Sequence, residues 1–297
     1  MKRIRLNRCP VCDAPEPVSY ITCTDHYATG ESFDIVSCKE CGFRFTQDFP
    51  DESEIGRYYE TSDYVSHSDT REGLMNKAYH LVRSHMLNKK RKMTEEASRL
   101  RKGSLLDIGC GTGYYLNTMK QAGWDTLGVE KSALASESAR THFGLDVLND
   151  LNEADGENRF DVITLWHVME HLQDLRGVFE KLRRLLRKEG TLIVALPNSD
   201  SYDAALYKTY WGAWDVPRHL WHFTPDTFAH LANREGFIVE KFAPMPFDAF
   251  YVSMLSERYK GNHLTFLRGM ISGARALTSS LSDPKRSSSI IYILRKK

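Results

Sequence analysis

From Ser104 onward, short runs rich in Val, Ile and Leu alternate with stretches whose apolar residues recur every three or four positions. Strands are predicted at Leu105–Gly109, Thr126–Glu130, Leu145–Leu148, Val162–Trp166, Leu192–Leu196, Ile238–Phe242 and Ile290–Leu294. One intervening helix carries Val178, Phe179, Leu182, Leu185 and Leu186 on a single face before Gly190. Another runs over Thr227–Glu235 before Gly236, with Asp226 or Thr224 as its N-cap. Phe247–Lys260 is helical in pattern, with Ser253, Ser256 and Tyr259 expected to continue a substrate wall. Strand and helix in alternation predict an α/β fold with helices on both faces of a largely parallel sheet.

Ahead of this region lie two different zones. Residues 1–50 hold short alternating runs such as Phe33, Ile35 and Phe43, Phe45, too little for a large core of their own. Residues 51–103 begin polar and tyrosine-rich. They then show helical spacing across Leu74, Ala78, Leu81, Val82, His85, Met93, Ala97 and Leu100, with Gly103 as the expected C-terminal cap. Tyr58, Tyr59, Tyr64 and His67 are candidates for a lid or for a staple between the zones.

Composition narrows the classes. The 297 residues are 41% hydrophobic and 27% charged, which excludes whole-chain disorder. A formal charge of +1 provides no global positive field for phosphate backbones. The longest apolar runs, Leu192–Leu196 and Ile290–Leu294, fall far short of the roughly 20 residues that span a bilayer. The N-terminus has Lys2, Arg3, Arg5 and Arg8 but no apolar signal core, so a cytoplasmic location is expected.

Four of the six cysteines form two CxxC pairs, Cys9–Cys12 and Cys38–Cys41, which supply four soft thiolates for a structural Zn²⁺. Two paired units favour metal over dithiol redox chemistry. The 25 residues between the pairs leave room for a hairpin around Thr24–Glu31. Zinc ribbons often contact nucleic acid, but between Cys9 and Pro50 seven acids face two bases (2 − 7 = −5). That charge argues for a small-molecule partner over RNA.

The chemistry concentrates at LLDIGCGTG, Leu105 to Gly113, a buried strand running into a turn with Gly109, Gly111 and Gly113 and then into a helix. Cys110 sits inside the turn. Asp107 beside the glycines would repel a dinucleotide's pyrophosphate, whereas S-adenosylmethionine carries an ammonium and a sulfonium and no phosphate. Glu130 ends the next strand, 23 positions later, where a carboxylate accepts both ribose hydroxyl protons. Asp150 could accept from an adenine amino group, with Leu151 against the ring.

LLDIGCGTG, LGVEKS, FDVITLWHVMEHL and GTLIVALPN together resemble the ordered motifs of class I S-adenosylmethionine-dependent methyltransferases. The resemblance implies a seven-stranded Rossmann-like sheet with an antiparallel last strand, which SSSIIYILRKK fits. It also implies that Asp107, Gly109, Gly111, Glu130, Asp150 and the segment Leu165, Trp166, His167 line the cofactor site. With the ribbon and YYETSDYVSH, the chain resembles bacterial methyltransferases of sugars, polysaccharides and secondary metabolites, and more loosely zinc-bearing RNA methyltransferases.

HVMEH, His167 to His171, spells a zinc-peptidase pattern that needs a helix carrying all three residues, yet here it follows directly from a strand. Quinone-pathway O-methyltransferases carry E-x-x-E-H at this point for a divalent cation. His167 replaces the first glutamate, so Mg²⁺ is not expected. His171 and then His219 are the candidate general bases, with Arg218 and His222 as further substrate-loop candidates. Trp214, Trp221 and Phe223 are expected to be core.

Overall fold

The computed structural model describes residues 2–59 and 74–297; of residues 74–82 only the backbone is described. The expected lid residues Tyr64 and His67 lie outside the described residues. In chain order the elements are β1 (Arg3–Ile4), β2 (Val18–Thr24), β3 (Ser32–Ser37), β4 (Arg44–Thr46) and β5 (Phe49–Pro50), followed by α1 (Leu74–Ser98). Next come β6 (Ser104–Ile108), α2 (Tyr114–Gln121), β7 (Asp125–Val129), α3 (Ala133–Phe143), β8 (Val147–Leu148), β9 (Phe160–Trp166) and α4 (Leu175–Leu185). The chain ends with β10 (Leu186–Pro197), α5 (Tyr202–Tyr207), β11 (Trp221–His222), α6 (Pro225–Arg234), β12 (Phe237–Pro244), α7 (Asp248–Tyr259), α8 (Thr265–Ser282) and β13 (Ser289–Lys296).

Seven strands form one sheet in the order β12-β13-β10-β9-β6-β7-β8. All seven predicted strands are present in it, and β13 runs antiparallel to both β10 and β12. Alternation along each strand explains the layering. Leu106, Ile163, Val194 and Tyr292 enter the core on one face, while Leu105, Val162, Ile193 and Ile291 enter the core on the other. Thr224 is the true cap of α6, its hydroxyl accepting from Thr227 N in a capping box. Gly103 does not cap α1. That helix stops at Ser98, and Arg99 takes the left-handed conformation instead at φ 59°.

A second sheet has the order β11-β4-β3-β2. Its outer strand β11 comes from the distant segment after β10, pairing Trp221 with Phe45 and His222 with Arg44. The N-terminal zone has a core because it shares one. Phe43, Phe45 and Phe49 pack with Trp221 and Phe223, while Cys23, Phe33 and Ile35 pack with Trp211, Trp214 and Val216. The three aromatics expected to be core are therefore buried, and they are the joint between the zones.

Candidate functional site

The turn after β6 is tied to the tip of β7, since Gly109 N and Cys110 N both donate to Val129 O at 2.7 and 3.1 Å. All three glycines have positive φ, but they do different work. A Cβ on Gly109 would lie 2.3 Å from a Val168 methyl, and one on Gly113 would meet Leu145 and Ala139 within 2.9 Å. Gly111 has nothing within 4 Å, so a ligand can lie against the backbone there. Its N–H donates to Glu130 Oε2 at 2.8 Å while Ser132 N donates to Oε1, leaving a lone pair on each oxygen to point outward.

Asp107 is 2% exposed and accepts from the Thr164 hydroxyl at 2.6 Å. Burial pushes its pKa up to about 7, against the pull of Thr164 and of the Lys90 charge. Asp107 thus sits beneath the turn as a buried carboxylate, not on its surface. Cys110 is buried with its thiol against Gly128, and burial raises its pKa. Asp150 is exposed and caps a short 3₁₀ turn through Asn152 N, with Leu151 half-buried beside it.

At the end of β9 the chain swings through His167, whose φ of 57° is strained for a residue with a Cβ. Its Nε2 lies 3.0 Å from Asp248 Oδ2 and its Nδ1 lies 3.4 Å from Glu170 Oε1. Burial opposes a charged ring, but the two carboxylates outweigh it and raise the pKa to about 10. Lys90 reaches the same region from α1, its ammonium 4.4 Å over the Trp166 ring, with burial lowering its pKa and Asp107 and Asp248 pulling it back.

Met169–His171 form a single 3₁₀ turn, not the helix a peptidase motif needs. Glu170 is fully buried, and apart from the His167 ion pair at 3.4 Å neither carboxylate oxygen has a hydrogen-bond partner among the described residues. His171 Nδ1 is 3.0 Å from Arg218 O, and His219 Nδ1 is 2.9 Å from Ala213 O. A carbonyl only accepts, so both Nδ1 atoms carry the hydrogen. The two rings meet edge to face at 4.6 Å. Burial and the neighbouring His219 push His171 down to about 4, so it is neutral at pH 7. Donor atoms of Glu170, His171 and His219 lie within 4.8 Å of one another, a nitrogen-rich set unlike the oxygen shell Mg²⁺ prefers.

A cavity of about 1030 Å³ opens over these groups. His167, His171 and His219 line it together with Lys90 and Asp248. The glycine turn, Glu130 and Asp150 lie outside its lining. Of the remaining substrate-loop candidates, Arg218 lines the cavity while bound to Asp215 and Asp25, whereas His222 is placed elsewhere, buried in β11 against the Thr46 hydroxyl. Ser253 and Ser256 also turn away from the cavity, Ser256 accepting from Gly212 N, whereas Tyr259 faces it. Sequence reasoning missed Lys90, Asp215, Asp248 and Tyr27, which come from segments far apart in the chain.

In the N-terminal zone the four cysteine sulfurs lie within 4.8 Å of one another, with Cys9–Cys41 at 3.6 Å and Cys12–Cys38 at 3.4 Å. Each CxxC sits in a tight turn, closed by Asp13 N to Cys9 O and by Gly42 N to Cys38 O. These spacings suit the edges of a tetrahedral four-thiolate shell with bonds of about 2.3 Å.

Residues 82–241, more than half of the chain, match a family model described as a methyltransferase domain. The chain belongs to this family. A ubiquinone biosynthesis O-methyltransferase of Rhodopseudomonas palustris strain TIE-1 is 27% identical to this methyltransferase over 172 residues. That match covers 52% of this chain and 64% of the relative, less than two thirds of the relative's length. Two solved structures share the fold of this chain. A 1,6-didemethyltoxoflavin-N1-methyltransferase of Burkholderia thailandensis is 16% identical with a TM-score of 0.51, over 92% of this chain and 99% of that one. A phosphoethanolamine N-methyltransferase 2 of Haemonchus contortus is 15% identical with a TM-score of 0.52, over 85% and 62%. Among the described residues no helix is long and apolar enough to cross a membrane.

Proposed function

We propose that this methyltransferase methylates a hydroxyl of a small molecule held in the cavity beside His171 and His219. The observation that carries the reading is the pair of imidazoles lining the cavity, each fixed through Nδ1 by a backbone carbonyl. The open space at Gly111 and the outward lone pairs of Glu130 fit a nucleoside with a ribose diol. S-adenosylmethionine, when bound there, supplies an electrophilic methyl group on a sulfonium. Lys90, which lines the cavity, offers an ammonium to the cofactor's carboxylate, and the buried Asp107 buttresses the turn. His171 or His219 takes the acceptor's hydroxyl proton, and orientation in the cavity supplies most of the rate.

Oxygen as the attacked atom is supported by the O-methyltransferase named among the relatives. The four thiolates hold one structural Zn²⁺, with residues 1–50 as a zinc ribbon, 51–103 as connector and 104–297 as the catalytic domain. The ribbon's charge supports a small-molecule partner over RNA.

Labelled S-adenosylmethionine incubated with the enzyme and a metabolite extract should give a labelled methyl ether. Labelled RNA instead would overturn the reading. By titration calorimetry, Glu130→Ala should weaken S-adenosylhomocysteine binding at least tenfold, about 1.4 kcal/mol.

A further inference from the structure

We propose that the cysteine module is part of the acceptor site: its hairpin tip, residues 25–30, walls the cavity, and Asp25 and Thr46 are positioning residues for the two histidines. The inference rests on the reading of the cavity as the acceptor site. His26 and Tyr27 of the tip line that cavity, and the His26 ring stacks on Tyr259 of α7, another lining residue, at 4.6 Å and 23°.

Asp25 holds the tip in shape. Its Oδ1 accepts from Tyr27 N and Ala28 N at 3.1 Å, and its Oδ2 accepts from Thr29 N and the Thr29 hydroxyl at 2.9 and 2.8 Å. Asp25 is 1% exposed, and Arg218 reaches it at 3.2 Å while binding Asp215 at 2.6 Å. The Arg218 guanidinium lies 4.4 Å over the Tyr27 ring. The same residue's carbonyl oxygen orients His171. Arg218 therefore joins the hairpin, through its side chain, to the imidazole, through its backbone.

The second histidine hangs on the module as well. The Thr46 hydroxyl of β4 donates to His219 O at 2.8 Å, and Thr46 N donates to Leu220 O at 2.9 Å. A merely stabilising ribbon would need neither an aromatic residue in the cavity nor hydrogen bonds to Arg218 and His219 of the loop that holds both histidines.

Hydrogen exchange on the full chain tests the coupling. In Asp25→Asn, amides of residues 213–222 should exchange at least roughly tenfold faster, while those of β6 and β7 stay as in the wild type. Unchanged exchange at 213–222 overturns the proposal. Tyr27→Ala, which removes the ring beneath the Arg218 guanidinium, provides the same readout should Asp25→Asn fail to fold. With 3,4-dihydroxybenzoate as the acceptor probe, Tyr27→Ala should raise its KM roughly tenfold and leave S-adenosylhomocysteine affinity within about twofold, with Tyr27→Phe restoring KM. An equal loss of S-adenosylhomocysteine affinity would also overturn it. A wild type that methylates no hydroxyl would sink the functional reading alone, because the exchange data still decide the coupling.

Discussion

The two ends of the site are built by different means. At the glycine turn, backbone N–H groups of neighbouring elements do the holding, and the residues concerned lie within 24 positions, Asp107 to Glu130. At the histidine end, a cluster of charges assembles buried Asp25, Glu170 and Arg218 with half-buried Asp215 and Asp248 from across the chain. Local backbone geometry makes the first end robust to side-chain change but intolerant of a Cβ at Gly109 or Gly113. Long-range ion pairing makes the second end sensitive to the loss of a single partner.

The largest effect expected is therefore at Arg218. Arg218→Ala leaves Asp25 and Asp215 without their buried cation and should destabilise the fold by about 3–5 kcal/mol in denaturant titration. A loss near that of an exposed ion pair, below about 1 kcal/mol, would dissolve the contrast between the two ends.

Smaller effects separate the glycines. Gly111→Ala meets no atom, so it should fold with a loss of only about 1 kcal/mol from its positive φ, yet bind S-adenosylhomocysteine at least roughly tenfold more weakly. Gly109→Ala collides with Val168 and should lose about 1–3 kcal/mol of stability as well. Equal calorimetric affinity for wild type and Gly111→Ala would show that no ligand approaches there.

A further test lies in pH dependence. His167 has its folded pKa raised to about 10, so its contribution to stability is fully present below about pH 6.5 and is lost as pH climbs toward 10. His171 has its folded pKa lowered to about 4, so its neutral form contributes above about pH 6.5, and stability falls as pH drops toward 4. Melting curves across that range should show both slopes. His167→Gln should remove the alkaline one and leave the acid one.

Much of the cofactor end was legible because its signals are contiguous: a buried strand, three glycines, and a carboxylate at the tip of the next strand. The central strands were legible for the same reason, since β-branched runs buried on both faces differ sharply from their flanks. The acceptor end was not. Asp25 reads as a hairpin acid and Asp248 as a helix start, and only the fold shows that both face the histidine segment. α8 escaped notice because its polarity is inverted. Gly269, Ser272, Gly273 and Ala276 are buried, while Phe266 and Leu267 are exposed. Backbone contact explains this: a Cβ on Gly273 would lie 2.8 Å from Phe250 Cα of α7, so small residues face inward.

Two residues of β11 complete the outer row of the N-terminal sheet. A chain begun at Asp51 would leave Trp221, Phe223 and Leu220 facing water and strip Thr46 from the loop that carries His219. The cysteine-bearing part is thus no interchangeable cassette clipped onto a finished catalytic domain. Swapping it between related enzymes would require the receiving loop to travel with it.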